Sequence, residues 1–278
     1  MSLKIKVANK GAELTSIKFN NKEMLHNGEK FWDRKSPILF PTVGRLRDNT
    51  TIINNKMYEI PQHGFAKDME FELVKEAENE KVYMTKSNKD TLKMYPFKFE
   101  LYISYIMDKA TLTIKYKVIN KDEKEMLFGI GGHPGFKIDL EQEEYYFELN
   151  KKENEPEFME VEGNYISNKP AKNILKDGKI INIEKDSFIN DAIMMKKLKS
   201  NTITLKQKKD EKKVLELNFK DFPILAIWSM PKASFICIEP WFNYADRIEE
   251  TGYFKDKEGI RTLQADEEFE CKFSVKFF

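Results

Sequence analysis

The sequence predicts an all-β protein, a single large domain of antiparallel strands over residues 1–278, on three observations. Apolar and polar residues alternate with a period of two. Strand-like runs recur from the first residues to the last, with no Pro/Gly/Ser linker and no internal repeat between them. No long amphipathic helix interrupts them. A chain of 278 residues permits two domains or one large β domain, and the even spread of strands favours one.

The clearest element is the run in which Phe97, Phe99, Leu101, Ile103 and Tyr105 alternate with Lys98, Glu100, Tyr102 and Ser104, a strand with one buried and one wet face. After a turn at residues 107–110, Leu112, Ile114, Tyr116 and Val118 alternate with Thr113, Lys115 and Lys117, which completes an antiparallel hairpin. Residues 151–179, charged and loop-like, read as a peripheral excursion. Residues 202–205 and 214–219 flank a mixed-charge stretch expected to be a solvated hairpin loop. Residues 224–228 and 235–238 flank Met230-Pro231-Lys232-Ala233, a second hairpin. Phe269, Cys271, Phe273 and Val275 alternate with Glu270, Lys272, Ser274 and Lys276, which places Cys271 in the core.

Composition narrows the class. Apolar residues make up 41% and charged residues 33%, with 21 Phe and 11 Tyr, so disorder is excluded as the main state. Forty-seven Lys and Arg against 46 Asp and Glu leave +1, without the one-signed excess that nucleic acid or anionic lipid favours, and neither is an expected partner. The two cysteines, Cys237 and Cys271, read as free thiols in a reducing compartment. Residues 1–10 carry Lys4, Lys6 and Lys10 among single apolar residues, unlike a signal peptide. No run of ~18 apolar residues occurs. A soluble, cytoplasmic protein is expected.

Chemistry concentrates in a few places. His26 lies in Leu25-His26-Asn27-Gly28, where Asn-Gly marks a turn, and reads as a surface histidine in a hairpin. His63, in Pro61-Gln62-His63-Gly64-Phe65-Ala66, and His133, in Gly131-Gly132-His133-Pro134-Gly135-Phe136, sit at Gly/Pro-marked corners. Such corners suit side chains presented into a cleft, and also loop histidines without a role. Glu239 ends the apolar run Ser234-Phe235-Ile236-Cys237-Ile238 and precedes Pro240-Trp241-Phe242; it is either an exposed strand end or a cleft carboxylate. Trp228 and Trp241 supply flat apolar faces of the kind sugars pack against. Arg45, flanked by apolar residues, needs acceptors that a bound hydroxyl or carboxylate would provide. Arg47 reads as the surface partner of Asp48. Asp191 interrupts the apolar run Phe188-Ile189-Asn190-Asp191-Ala192-Ile193, held by a turn or by a ligand.

Other chemistries find less support. His-x-His and His-Glu-x-x-His spacings are absent, so no metal is expected, although His63, His133 and Glu239 could supply a two-His-one-carboxylate set. Phosphate-loop, dinucleotide and Gly-x-Ser-x-Gly patterns are missing, so no nucleotide cofactor and no acyl-transfer elbow is expected.

Arg45, the segment Gln62-His63-Gly64-Phe65-Ala66, Gly131-Gly132-His133-Pro134, Asp191 and Cys237-Ile238-Glu239-Pro240-Trp241 together resemble the aldose 1-epimerase (galactose mutarotase) family, most closely its LacX-type branch. The resemblance covers nearly the whole chain and includes Ser36-Pro37-Ile38-Leu39-Phe40-Pro41 and Ile227-Trp228-Ser229. It implies a β-sandwich of two large twisted antiparallel sheets with a sugar cleft across one concave face. It also implies a cofactor-free isomerase that interconverts the α and β anomers of free aldoses. By position, His133 matches the family's general acid, Glu239 its general base, and Arg45, His63 and Asp191 its substrate-holding groups. Pro240-Trp241 follows the glutamate where the galactose-specific branch has a Thr-Gln pair, so galactose preference is not carried over.

Opening a pyranose hemiacetal removes the O1 proton and protonates the ring oxygen, which Glu and His can do without metal or redox carrier. An ionised Glu239 and a protonated His133 would stabilise one another, with desolvation opposing both shifts. If charge prevails, the pH profile has an acid limb from Glu239 and an alkaline limb from His133. The rival readings are a non-catalytic carbohydrate-binding sandwich, a mutarotase of hexose 6-phosphates and a metalloenzyme.

Overall fold

Alternation along each strand decides which way its side chains face, and two large antiparallel sheets result. The computed structural model describes residues 2–28, 32–184, 186–231 and 233–278, and of Pro170 the backbone alone. The nine-stranded sheet runs, edge to edge, through Ile180–Asn182, Tyr145–Leu149, Thr202–Gln207, Lys213–Asn218, Glu268–Phe277, Thr111–Asn120, Phe99–Asp108, Glu80–Lys86 and Glu72–Ala77. The second sheet runs through Tyr165–Pro170, Glu157–Glu162, Ile193–Lys196, Ile224–Trp228, Phe235–Trp241, Gly131–Gly132 and Ile38–Leu39, with Gly135–Lys137 also paired to Phe235–Trp241.

The expected hairpins form in the expected register. Leu101 faces Val118, Ile103 faces Tyr116 and Tyr105 faces Ile114, while on the far side Tyr116 faces Cys271 and Ile114 faces Phe273. These residues are buried in one apolar cluster between the sheets, which also takes Ile236, Ile238, Leu225 and Ile227 from the second sheet. Burying each such side chain stabilises by about 1.5–3 kcal/mol. The Phe235–Trp241 strand is buried throughout, with Ile236 and Ile238 in the main core and Phe235, Cys237 and Trp241 in smaller clusters on the other side, and a one-residue slip would turn Glu239 into the main core. With Ile236 and Ile238 turned inward, Cys237, Glu239 and Trp241 face the outer side.

The nine-stranded sheet leaves its second face to water, and exposed pairs such as Lys115–Glu270 and Lys117–Glu268 decorate it. The other sheet is covered on both faces. Val43, Met194, Ile224, Ala226, Trp241 and Tyr244 form a smaller apolar cluster on its outer side. The sole α-helix among the described residues is the four-residue turn Thr91–Met94, and no helix is long and apolar enough to cross a membrane.

Three expectations are corrected. Residues 151–179 are not simply peripheral: Glu157–Glu162 and Tyr165–Pro170 are strands of the second sheet, with Phe158, Met159 and Ile166 buried. A register shift between Met159 and Val161 breaks the alternation that would have announced them. His26 is not on the surface. It is 7% exposed, because Leu25 bridges to Phe136 and the His26 backbone N–H donates to Gly135 O, which seats the ring 4.3 Å from Phe235 and 5.8 Å from Trp32. Arg47 forms no ion pair with Asp48 among the described residues; its guanidinium lies 5.8 Å over the Tyr165 ring. Of the expected turn Met230-Pro231-Lys232-Ala233, Lys232 lies outside the described residues.

Candidate active site

The outward face of the Phe235–Trp241 strand is the floor of a cleft of ≈ 600 Å³, within the range that small-molecule sites occupy. Glu239 and Trp241 project from it, and the residue opposite Glu239 on the neighbouring strand is Ala226, small enough to leave the carboxyl uncovered from that side. His133 comes from the corner after Gly131–Gly132, where its backbone N–H donates to Pro37 O at 3.2 Å. Its Nε2 lies 3.1 Å from Glu239 Oε2. Trp32, tilted 4.8 Å from the His133 ring, and Trp228, edge-on at 5.7 Å, wall the imidazole on two sides. Gly135 permits this packing, since a Cβ there would stand 2.7 Å from the Trp32 ring.

The opposite wall is a pair of interlocked loops. His63 adopts φ 63°, a left-handed conformation that few residues but Asn, Asp, His and Gly tolerate, and Gly64 follows at φ 71°. A Cβ on Gly64 would overlap the Phe40 carbonyl, so glycine is required there. The His63 N–H donates to Gly44 O at 2.8 Å, and the Gly44 N–H donates to His63 Nδ1 at 3.1 Å. An Nδ1 that accepts leaves the proton on Nε2, so His63 is a fixed donor with its ring 5.5 Å from that of His133. Arg45 donates through Nη2 to Gln62 Oε1 at 2.8 Å. Its backbone is clamped by Asp246, whose N–H donates to Arg45 O at 2.8 Å and whose Oδ2 accepts from the Arg47 N–H at 2.8 Å. Lys257 neutralises Asp246 in a buried ion pair.

Asp191 closes the third side, in a turn just before the Ile193–Lys196 strand. It adopts φ 91°, and its Oδ1 accepts from the Ala192 N–H at 2.7 Å. The backbone turn therefore accounts for its place in an apolar run. Its carboxyl stands above the ordinary value because surrounding protein displaces part of its water. All seven residues singled out from the sequence, Arg45, His63, His133, Asp191, Trp228, Glu239 and Trp241, line this one cleft. Residues with no pattern of their own join them: Trp32, from a polar segment, and Asn164, from the hairpin taken for an excursion. Gln62 was legible as part of a motif, but not as the partner of Arg45.

Burial dominates the electrostatics. It pushes the Glu239 carboxyl well above the carboxylate range, helped by the nearby Asp191 charge and partly offset by the Trp241 indole. It pushes the His133 imidazole well below the ordinary histidine value, helped by His63. His63 falls to about 3, chiefly by burial and then by Lys67 and Arg45. Burial thus disfavours the charged form of each partner, in opposition to the mutual stabilisation expected of a charged Glu239–His133 pair. Several buried polar atoms have no hydrogen-bond partner among the described residues: Arg45 Nε, His133 Nδ1, both carboxyl oxygens of Glu239 and Trp241 Nε1. Each such group costs about 1–3 kcal/mol when left unpaired. They converge on one cleft, an arrangement that suits a polyhydroxylated ligand with many donors and acceptors.

The His63–His133–Glu239 set does not assemble as metal ligands, because His63 Nδ1 is taken by the Gly44 N–H. The close group is His133, Cys237 and Glu239. Burial, and then the neighbouring Glu239 carboxyl, push the Cys237 thiol well above its ordinary value. Cys271 is buried in the core, as its alternation predicts.

The profile of the aldose 1-epimerase family matches residues 1–257. The chain belongs to this family. The LacX protein encoded on a plasmid of Lactococcus lactis subsp. lactis is 31% identical over 261 residues, covering 89% of this chain and 87% of that protein. A galactose mutarotase related enzyme from Lactobacillus acidophilus has a similar structure, with TM-score 0.91 and 29% identity over 99% of this chain and 94% of that one. A galactose mutarotase-like protein from Lactobacillus casei gives 0.93 and 28%, covering 99% and 97%. The twisted antiparallel sandwich of this epimerase-family chain is therefore the galactose mutarotase-like fold, and membership supports a mutarotase-type function on a sugar.

Proposed function

We propose that the protein is an aldose 1-epimerase that interconverts the α and β anomers of a free aldose, with Glu239 and His133 as its proton-transfer pair. The observation that carries this reading is the 3.1 Å approach of His133 Nε2 to Glu239 Oε2 in a cleft walled by Trp32, Trp228 and Trp241. O1 and the ring oxygen share one carbon, so an acceptor and a donor this close together can meet both. One group takes the O1 proton while the other gives its proton to the ring oxygen. The C1–O5 bond breaks and C1=O1 forms. The open aldehyde turns about C1–C2 and closes on its other face, as the two groups run their roles in reverse.

The pair needs one shared proton, not a fixed owner. The family resemblance assigns it to His133; burial favours Glu239 in the resting protein, making neutral His133 the base for the first half-reaction. His63, donating through Nε2, and Arg45, through its unpartnered Nε, stabilise charge on oxygen and hold hydroxyls. Asp191 accepts from a hydroxyl at the rim, and Trp228 and Trp241 pack against sugar C–H faces. No cofactor enters this scheme. The core that runs from Ala12 to Phe277 supports residues 1–278 acting as one domain, and two free thiols support a reducing, cytoplasmic setting.

Polarimetry of freshly dissolved α-D-glucose and α-D-galactose, with hexose 6-phosphates as a second arm, tests the reading. Acceleration of a free aldose is expected. Acceleration of phosphorylated sugars alone would change the substrate class, and sugar binding without acceleration of any would leave a carbohydrate-binding module.

A further inference from the structure

His133, Cys237 and Glu239 form a constellation that proton transfer does not exhaust. One ligand atom from each lies within 4.8 Å of the others, and all three residues are buried. Cys237 precedes Glu239 by two positions and shares its outward face. Gly135, its neighbour across the strand pair, would bring a Cβ to 3.4 Å from the sulfur, ordinary contact. Glu239 is 1% and His133 8% exposed, and both Glu239 oxygens and His133 Nδ1 lack hydrogen-bond partners among the described residues. Nitrogen, sulfur and oxygen lone pairs therefore converge without being consumed by the fold.

We infer that this floor binds a thiophilic divalent cation of the Zn²⁺ class through Cys237 Sγ, His133 and one Glu239 oxygen, and that occupancy inhibits the sugar reaction. The inhibitory half rests on the proposed function; the binding half does not. Sulfur and imidazole ligands favour Zn²⁺ and Co²⁺, whereas Mg²⁺ and Ca²⁺ demand oxygen. Three protein ligands with the fourth position open to the cleft satisfy a tetrahedral ion. Bond lengths of about 2.0–2.3 Å set ligand atoms about 3.5 Å apart, so atoms that now lie within 4.8 Å of one another need close by no more than about 1.3 Å, within reach of side-chain rotation. Coordination displaces the thiol proton to water. The ion then occupies the lone pairs that would move protons. Cys237 does not line the cleft, so replacing it leaves the sugar's contacts in place.

Co²⁺ titrated into the full chain is the probe. One equivalent is expected to raise a thiolate-to-cobalt charge-transfer band in the near ultraviolet that Zn²⁺ displaces and Mg²⁺ does not. Cys237→Ser and Cys237→Ala should lose the band, and Cys271→Ala should keep it. Saturating Zn²⁺ should slow the wild-type polarimetric rate by ~10-fold or more and leave both Cys237 variants at their metal-free rates. No band, a band that survives both Cys237 substitutions, or equal inhibition of wild type and variants overturns the inference. Should both variants misfold, loss of the band in His133→Asn decides the same point. Because the band is read without sugar, a protein that binds cobalt but anomerises nothing would sink the functional reading and leave the metal site standing.

Discussion

His133 Nε2 stands 3.1 Å from Glu239 Oε2, and burial disfavours the charged form of both groups. A neutral acid beside a neutral base is a bifunctional catalyst that needs no net charge in a low-dielectric cleft. The same proton count would also serve an ion pair, so a ligand that hydrogen-bonds to either partner can move the proton without protonating or deprotonating the site as a whole.

Glu239→Gln keeps the side-chain shape and removes the transferable proton. Anomerisation is expected to fall by ~10²–10⁴ while sugar binding persists. His133→Asn should cost a similar factor. Near wild-type turnover in either variant, measured by polarimetry with binding followed separately, would remove that residue from the mechanism.

The pH profile follows from the two directions of shift. Glu239 lies above its ordinary value, so the pair loses its last proton only at higher pH than a free carboxyl would; His133 lies below, so a second proton enters only at lower pH than a free imidazole would accept. The expected kcat/KM profile is a broad bell with the limbs assigned opposite to a charged pair: acid limb from His133, alkaline limb from Glu239, with the pair titrating as a unit. Residual activity of His133→Asn should lack the acid limb and keep the alkaline one. Loss of the alkaline limb instead would restore imidazolium as the resting acid.

Burial of Glu239 also makes a stability prediction. A carboxyl whose value rises on folding contributes stability fully present below its unfolded value near 4.3, lost as pH climbs through the raised folded value. Glu239→Gln escapes that loss. Its Tm relative to wild type should therefore increase with pH across this window, a difference that thermal melts at several pH values would show. A constant offset would mean Glu239 ionises as freely in the folded protein as in the unfolded chain.

All three tryptophans, Trp32, Trp228 and Trp241, line the cleft. Millimolar sugar should shift or quench their fluorescence, and Trp32→Ala should reduce that change and raise KM. An unchanged spectrum under saturating sugar would place the ligand elsewhere.

Chelation should not lower activity, because the proposed proton transfers pass through side chains alone. With traces of bound zinc, a chelator should raise it. A loss restored by added metal would overturn the mechanism.

The sequence by itself determined the sheets and their facing. Period-two alternation from Phe97 to Tyr105 and from Phe269 to Val275 sets which side chains are inside, because a strand has only two faces and water sorts them. The Gly-marked corners at His63 and His133 were legible as local backbone chemistry, whereas the Phe235–Trp241 strand, apolar on both faces up to Ile238, did not show which way Glu239 points. Alternation failed where a bulge broke it, at Met159 and Val161, and so concealed the strands that bring Asn164 to the cleft. Tertiary structure alone decided that Trp32 covers His133, that Phe235 and Trp32 bury His26, and that Gly44 fixes the His63 tautomer. It also decided the electrostatic direction of the central pair. Residue types suggest mutual charge stabilisation, but desolvation depends on everything packed around a group, from segments far apart in the chain, and only the fold shows that burial, with Asp191 beside Glu239 and His63 beside His133, opposes both charges.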